Sequence, residues 1–366
     1  MSAASRPDAH EPLTHARVDL KRFDANLRTV RSRVSPAETM FVVKNDAYGH
    51  GAEVLVPRAV EHGVNWIGAL DVETALRVRS LVGEGPRVFA WLLSGRDDLA
   101  AAHDAGIDLG VGDRGVLEAA ASAATARPIR VHLKIDTGLN RNGVRVEDWR
   151  PFVTRAAQLQ SEGRISVEGV WSHISEASDE DDDQARSRFD SALSSAEAAG
   201  LAPEYRHLAA SAASFLRAEF RYDLVRVGAF VYGISPAGGP HEPELGISPV
   251  MSLRTRVVDV RDGEAILPIG GWHGVPSSIA GRGADPGAQG STVGAGIRGT
   301  RHPVLRIGRD WMSVLADDAA VGDEAVLFGP GDDGEPTATE WAEAIDTIGE
   351  EIVLKVDRRI PRTYCE

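Results

Sequence analysis

Cysteine is almost missing from these 366 residues: Cys365 stands alone, next to the last residue. A single cysteine excludes an internal disulfide and any cysteine-based metal cluster, and no metal is expected. Long apolar runs are missing too. None reaches the length a bilayer requires, so no membrane partner is expected. The opening MSAASRPDAHEPLTHA lacks the apolar core of a signal peptide, and a cytoplasmic chain is the expectation. Positive charge is in deficit: 40 Lys and Arg face 54 Asp and Glu, for a net charge of -14. That balance argues against nucleic acid or an anionic lipid surface as partner. What remains is 43% hydrophobic and 26% charged, the composition of a globular chain long enough for one large domain and a smaller one.

Short apolar runs alternate with helical periodicity over the first two thirds of the chain. The strand candidates are FVVKN, NWIGAL, RVFAWLL, IDLGVG, IRVHLKID, ISVEGVWSHI, YRHLAAS and LVRVGAF, with amphipathic stretches such as LKRFDANLRTVRSRV and DVETALRVRSLV among them. About eight strands with interleaved helices predict an α/β fold, a (β/α)₈ TIM-like barrel more than an open sheet. From about Ile247 the segments become β-branched and Gly/Pro-punctuated (SLRTRVVDV, AILPIG, HPVLRIG, MSVLA, EAVLFG), which predicts an all-β C-terminal domain. The expected division is a tail at 1–13, a barrel at 14–240 and a β domain at 241–366. SSIAGRGADPGAQGSTVGAGIRG reads as a mobile loop, and DEDDD (Asp179 to Asp183) as a solvated loop leading into a helix.

In a barrel, chemistry gathers at the C-terminal ends of the strands. Polar residues stand at those ends here: Lys44, Lys134, His173, His207 with Ser211, and Arg226. Taken singly, each is more often structural; their convergence on one face is the signal. A desolvated lysine among cations becomes a nucleophile toward carbonyls, the way pyridoxal phosphate is held. Such a cofactor needs phosphate donors, which Ser211 and the backbone near Gly228 could supply. It also needs a partner for its ring nitrogen, which Arg226 could be.

MFVVKNDAYGHG (Met40 to Gly51) resembles the pyridoxal-phosphate lysine motif of the alanine racemase family, whose members are fold-type III enzymes. HLKIDTGLNRNGVR is similar to that family's DTGMGR segment, EGVWSHI to the strand that follows, HLAASAA to its H-x-A-N-S segment, and DLVRVGAFVYGISP to its R-x-G-x-x-x-Y-G segment. The resemblance implies pyridoxal 5'-phosphate as cofactor, with Lys44 as Schiff-base lysine and base on one face of the substrate Cα. It implies Tyr48 near the phosphate, Arg141 beside the phenolic oxygen and at the substrate, Ser211 and the Gly228 amide on phosphate, and Arg226 at the ring nitrogen supported by His207. Tyr232 falls in the same cofactor-binding set, and Lys134 at a position often carbamylated in the family. A small amino-acid substrate and a head-to-tail homodimer are implied as well.

The family's second base is a tyrosine of a SYGxTW segment, between the strand resembling RTRVVDV and the one resembling LPIGYADGYP. Here RVVDVRDGEAILPIGGWHGVP joins the two almost directly, and no tyrosine occurs between Tyr232 and Tyr364. Near the end, RRIPRTY resembles YRVPRIF and puts Arg358 where a phosphate-binding tyrosine is expected; Met312 keeps the family's methionine at the substrate. Candidates for the missing acid/base are His273, His173 and Tyr364, although the glycines around His273 also mark a turn. The expected function is an amino-acid racemase or epimerase with a substituted second base. A one-faced pyridoxal-phosphate enzyme using Lys44 alone, and a non-catalytic pyridoxal-phosphate-binding protein, are the alternatives.

Overall fold

The structure is a computed structural model that describes residues 12–93, 99–281 and 293–366. The chain divides into two compact units that alternate along the sequence, one made of 27–47 and 52–228, the other of residues up to 26, 48–51 and 229–366.

The first strand, β1 (His15–Asp19), stands outside the barrel. The next eight build it: β2 (Glu38–Val42), β3 (Trp66–Ala69), β4 (Arg87–Ala90), β5 (Ile107–Val111), β6 (Ile129–Lys134), β7 (Ile165–Trp171), β8 (Tyr205–His207) and β9 (Leu224–Val227). They pair in parallel in the order β8-β7-β6-β5-β4-β3-β2-β9. The two edges meet where Asp223 N donates to Arg206 O (3.1 Å) and Arg226 N to Ala209 O (3.2 Å), so the barrel is nearly closed. All eight are the apolar runs read from the sequence. Burial of most of their residues is the reason for that legibility, since parallel strands covered on both faces carry little polar alternation. Met40, Trp66, Phe89, Trp171 and Leu224 fill the interior. Two of the helices between strands start on aspartate caps: Asp71 accepts from Thr74 N (2.8 Å) and Asp113 from Val116 N (2.8 Å).

The other unit is all-β in its sheets. β10 (Met251–Arg256), β11 (Asp259–Arg261), β12 (Glu264–Leu267), β13 (Ala295–Ile297), β14 (Thr300–His302), β15 (Val304–Ile307), β16 (Met312–Leu315), β17 (Glu324–Phe328) and β18 (Arg362–Cys365) form it together with β1. Six strands run β14-β13-β17-β10-β1-β18 and four run β11-β12-β16-β15. Two seven-residue helices, Ala338–Ala344 and Gly349–Lys355, accompany them.

Three expectations are amended. The tight units do not break at 13 and 240: β1 pairs with β10 and β18, and 229–240 fall with the β unit. DEDDD is the first turn of the helix Asp179–Ala198 and not a loop, because Ser178 caps Asp181 N (3.2 Å) and the acids meet the helix's positive end. Of the Gly-rich stretch, 282–292 lie outside the described residues, while its flanks form a short turn at Ser277–Ile279 and the strand β13. Among the described residues no helix is long and apolar enough to cross a membrane.

Candidate active site

Lys44 leaves β2 into an unusual turn. Asn45, Asp46, Ala47 and Tyr48 all have left-handed backbone angles, with φ of 53°, 57°, 54° and 54°. For non-glycine residues this costs about 1–2 kcal/mol each, so the surroundings must hold it. Val43 N bonds Gly68 O (2.9 Å) on one side, and Asp46 accepts from Ala52 N (3.0 Å) on the other. The turn ends the strand abruptly and leaves the Lys44 side chain half-buried at the barrel's C-terminal face.

Arg226, on β9, is the hub of that face. Its Nη1 donates to His207 Nδ1 (3.1 Å) and His207 O (3.1 Å); its Nη2 donates to Ser172 O (2.8 Å), Leu208 O (2.9 Å) and His173 Nδ1 (3.1 Å). Trp171 stacks flat on His207, at 3° and 5.6 Å, and lies 5.1 Å from the guanidinium. A guanidinium only donates, so both histidine Nδ1 atoms must accept. Burial, then Arg226, pushes the pKa of His207 well below its usual value. His173 is pushed down likewise, by burial and then by Arg226, Arg141, Lys134 and Lys44. Both rings are therefore neutral, with their proton on Nε2. For His173 this narrows the expected role: with Nδ1 occupied and Nε2 protonated, the neutral ring can donate a hydrogen bond but has no lone pair with which to abstract a proton.

Barrels of this kind commonly hold phosphate in the loops after the seventh and eighth strands, here β8 and β9. Gly228 N donates to Ser211 Oγ (3.3 Å), joining the loop after β8 to that after β9. Lys134, at the end of β6, sits 4.4 Å over the Trp171 ring. Burial, reinforced by Arg226 and Arg141, lowers its pKa to about 7. Arg141 is exposed on the loop after β6, whose turn is set by Asp136 accepting from Gly138 N (3.0 Å) and Asn140 N (3.1 Å).

In the β unit, Tyr48 and His50 both pack on Tyr232 at 4.8 Å, and burial raises the Tyr48 pKa. Tyr364 donates its hydroxyl to His50 O (3.1 Å). Met312 is fully buried in β16, opposite Leu267 of β12; Arg358 is exposed after the helix Gly349–Lys355. His273 closes a short helical turn in which its Nδ1 accepts from Gly270 N (3.1 Å), so the turn role read from its glycines is real. It lines a hollow of about 330 Å³ with Thr14, Trp272, Asp310, Asp357 and Arg359. Where a tyrosine segment was expected, β11 and β12 are joined by the two-residue turn Asp262-Gly263, with φ of 51° and 81°.

Two family descriptions match the chain, "Alanine racemase, N-terminal domain" over residues 18–236 and "Alanine racemase, C-terminal domain" over 254–364. The chain belongs to the alanine racemase family. It is 37% identical to alanine racemase of Thermobifida fusca, over 95% of this chain and 97% of that one, and 38% identical to that of Salinispora tropica over the same shares. Among solved structures, alanine racemase from a D-cycloserine-producing Streptomyces lavendulae superposes with a TM-score of 0.89 at 35% identity, covering 97% of this chain and 98% of that one. The enzyme of Streptomyces coelicolor A3(2) also gives 0.89, at 34% identity, with 96% and 98% covered.

Alanine racemases are isomerases that use pyridoxal 5'-phosphate, and the barrel residues fit that group. Lys44, Lys134, Arg141 and Arg226 all act on His173 as positive charges, a cluster that an anionic phosphate and phenolate would relieve. Nη1 and Nη2 of the buried Arg226 are spent on protein acceptors; among the described residues its Nε–H has none, which suits a heteroaromatic nitrogen. Sequence reasoning missed His132 and Asp108, buried behind His207. The signal was available: in IRVHLKID, His132 shares a strand face with Lys134.

Proposed function

We propose that this chain is a pyridoxal-phosphate-dependent racemase that inverts a small amino acid at Cα, with Lys44 as the base on one face. The supporting observation is the Arg226 hub, set within a full-length likeness to alanine racemases. When bound, the cofactor withdraws electrons from Cα and makes its proton labile.

The chain's own residues then divide the work. Lys44 is the cofactor's anchor and moves the proton on its face. Ser211 Oγ, the Gly228 amide and Arg358 bind phosphate, with Tyr48 and Tyr232 packed beside it. Arg141 serves the phenolic oxygen and the substrate carboxylate, with Met312 shaping the substrate side. Arg226, held by His207, donates to the ring nitrogen without giving up a proton, which tempers the electron sink. His173 donates through Nε2. The opposite face needs a base, and His273, offered by a second copy in a head-to-tail homodimer, is the candidate in this reading; Tyr364 is the other. The setting in this reading is cytoplasmic.

The experiment is proton exchange in heavy water. Reconstituted with pyridoxal phosphate, the protein is given each enantiomer of a panel of small amino acids, alanine included. Both enantiomers of the true substrate gain deuterium at Cα and interconvert. Label confined to one enantiomer, or release of a leaving group, replaces racemisation with one-faced chemistry; no exchange with cofactor bound removes catalysis altogether.

A further inference from the structure

The chain of side chains that begins at Arg226 does not end at His207. Nε2 of His207 lies 2.9 Å from Nδ1 of His132, on β6. His207 accepts from Arg226 at Nδ1, so its Nε2 carries the proton and donates to His132. His132 Nδ1 is thereby an acceptor, which puts that ring's own proton on Nε2. The group facing this N–H is Asp108 of β5, 3.9 Å away, too far for a hydrogen bond but close enough for its charge to act. His132, His207 and Asp108 are completely buried. Asp108 remains a carboxylate: burial works against it, but hydrogen bonds from the charged Arg87 and Arg130 hold its pKa below the usual range.

The backbone is shaped around His132. The β6/β7 register slips between Val131 and His132, so that Gly169 pairs with the histidine. A Cβ at Gly169 would lie 2.2 Å from His132 Nδ1, inside any real contact. Phe89 at 4.9 Å and Trp66 at 5.6 Å wall the ring on other sides, apolar surfaces that offer no acceptor.

We infer that His132 is a positioning residue for the reaction, the last acceptor of a one-way donor chain running Arg226, His207, His132, with its outer N–H facing the charge of Asp108. Its Nδ1 lone pair fixes His207 in the Nε2–H tautomer. That keeps the lone pair of His207 Nδ1 aimed at Arg226 and the guanidinium in register. Without this acceptor the buried His207 Nε2–H is orphaned, and the tautomer that relieves it turns an N–H against the arginine. The inference rests on Arg226 serving the cofactor nitrogen, but the tautomers can be measured without turnover.

The test uses histidine-selective ¹⁵N labelling of the purified protein and long-range proton–nitrogen spectra. His132 and His207 both show neutral rings protonated at Nε2. His132→Leu moves the His207 signals, shifts the absorption of bound pyridoxal phosphate and lowers kcat about tenfold with a smaller change in KM, the scale typical of groups that orient a ligand. His132→Asn, whose amide oxygen stands near the Nδ1 position, restores all three. Gly169→Ala behaves like His132→Leu, and carries the test if that variant does not fold. A His207 ring protonated at Nδ1, unmoved His207 signals in His132→Leu, or equal impairment of the Leu and Asn variants overturns the inference. Loss of turnover in every form, wild type included, counts against the racemase reading instead, with the spectra still deciding this one.

Discussion

Arg226 can only give hydrogen bonds, so His173 and His207 beside it accept and are neutral, while His132 behind them is neutral through burial. Burial holds the pKa of His132 at about 4, and burial with Arg226 holds those of His173 and His207 well below their usual value. In the unfolded chain each ring takes a proton near pH 6.5. Between the folded and unfolded values the unfolded chain binds more protons, so stability rises with pH across that window. The contribution is complete above about pH 6.5 and is lost as the pH falls through each ring's folded value, about 4 for His132, with a slope of at most ~4 kcal/mol per unit for three groups. Urea midpoints measured across that range should fall steeply on the acid side; midpoints independent of pH would refute the three neutral rings. At this scale the sequence shows Lys44, Lys134, His207 and Arg226 plainly, since a polar residue at the end of an apolar run stands out. It does not show which nitrogen of a histidine is free. His132 escapes notice because it lies two residues deeper in its strand, where burial disguises it as core.

The decisive element is the left-handed turn from Asn45 to Tyr48. Local propensity does not predict its full length, because K-N-D-A-Y contains no glycine; Asn45 and Asp46 tolerate the left-handed region, but Ala47 and Tyr48 are held there by packing. Asn45 is exposed, so a substitution there loses little contact. Asn45→Val should destabilise the protein by about 1–2 kcal/mol, while Asn45→Gly should not, because β-branched side chains tolerate this region worst. Equal unfolding midpoints for the two variants would mean that the turn relaxes. The barrel strands, by contrast, are legible as elements, each an apolar run bounded by turn residues. The helix at Asp179 was legible too: Ser178 followed by Asp181 is a cap signature, obscured by the acidic run's look of a solvated loop.

Across the whole molecule, the order of the chain is not the order of the fold. β1 falls within the span 14–240 expected of the barrel, yet it lies between β10 and β18, residues from the other end of the sequence. Pairing between segments so far apart leaves no trace in composition or periodicity. Deleting residues 1–19 should therefore unpair the β unit, giving aggregated protein or loss of its cooperative unfolding; a truncated chain with the wild-type midpoint would contradict the pairing. The family likeness spans both units, and the proposal built on it is a cofactor carried on one lysine. The most direct check is borohydride reduction of the protein reconstituted with pyridoxal phosphate, followed by peptide mapping. The yellow colour should bleach and a pyridoxyl group should remain on the peptide carrying Lys44, and on no peptide of a Lys44→Ala variant. A colourless protein after reconstitution, or a label on another lysine with Lys44 unmodified, would contradict the account.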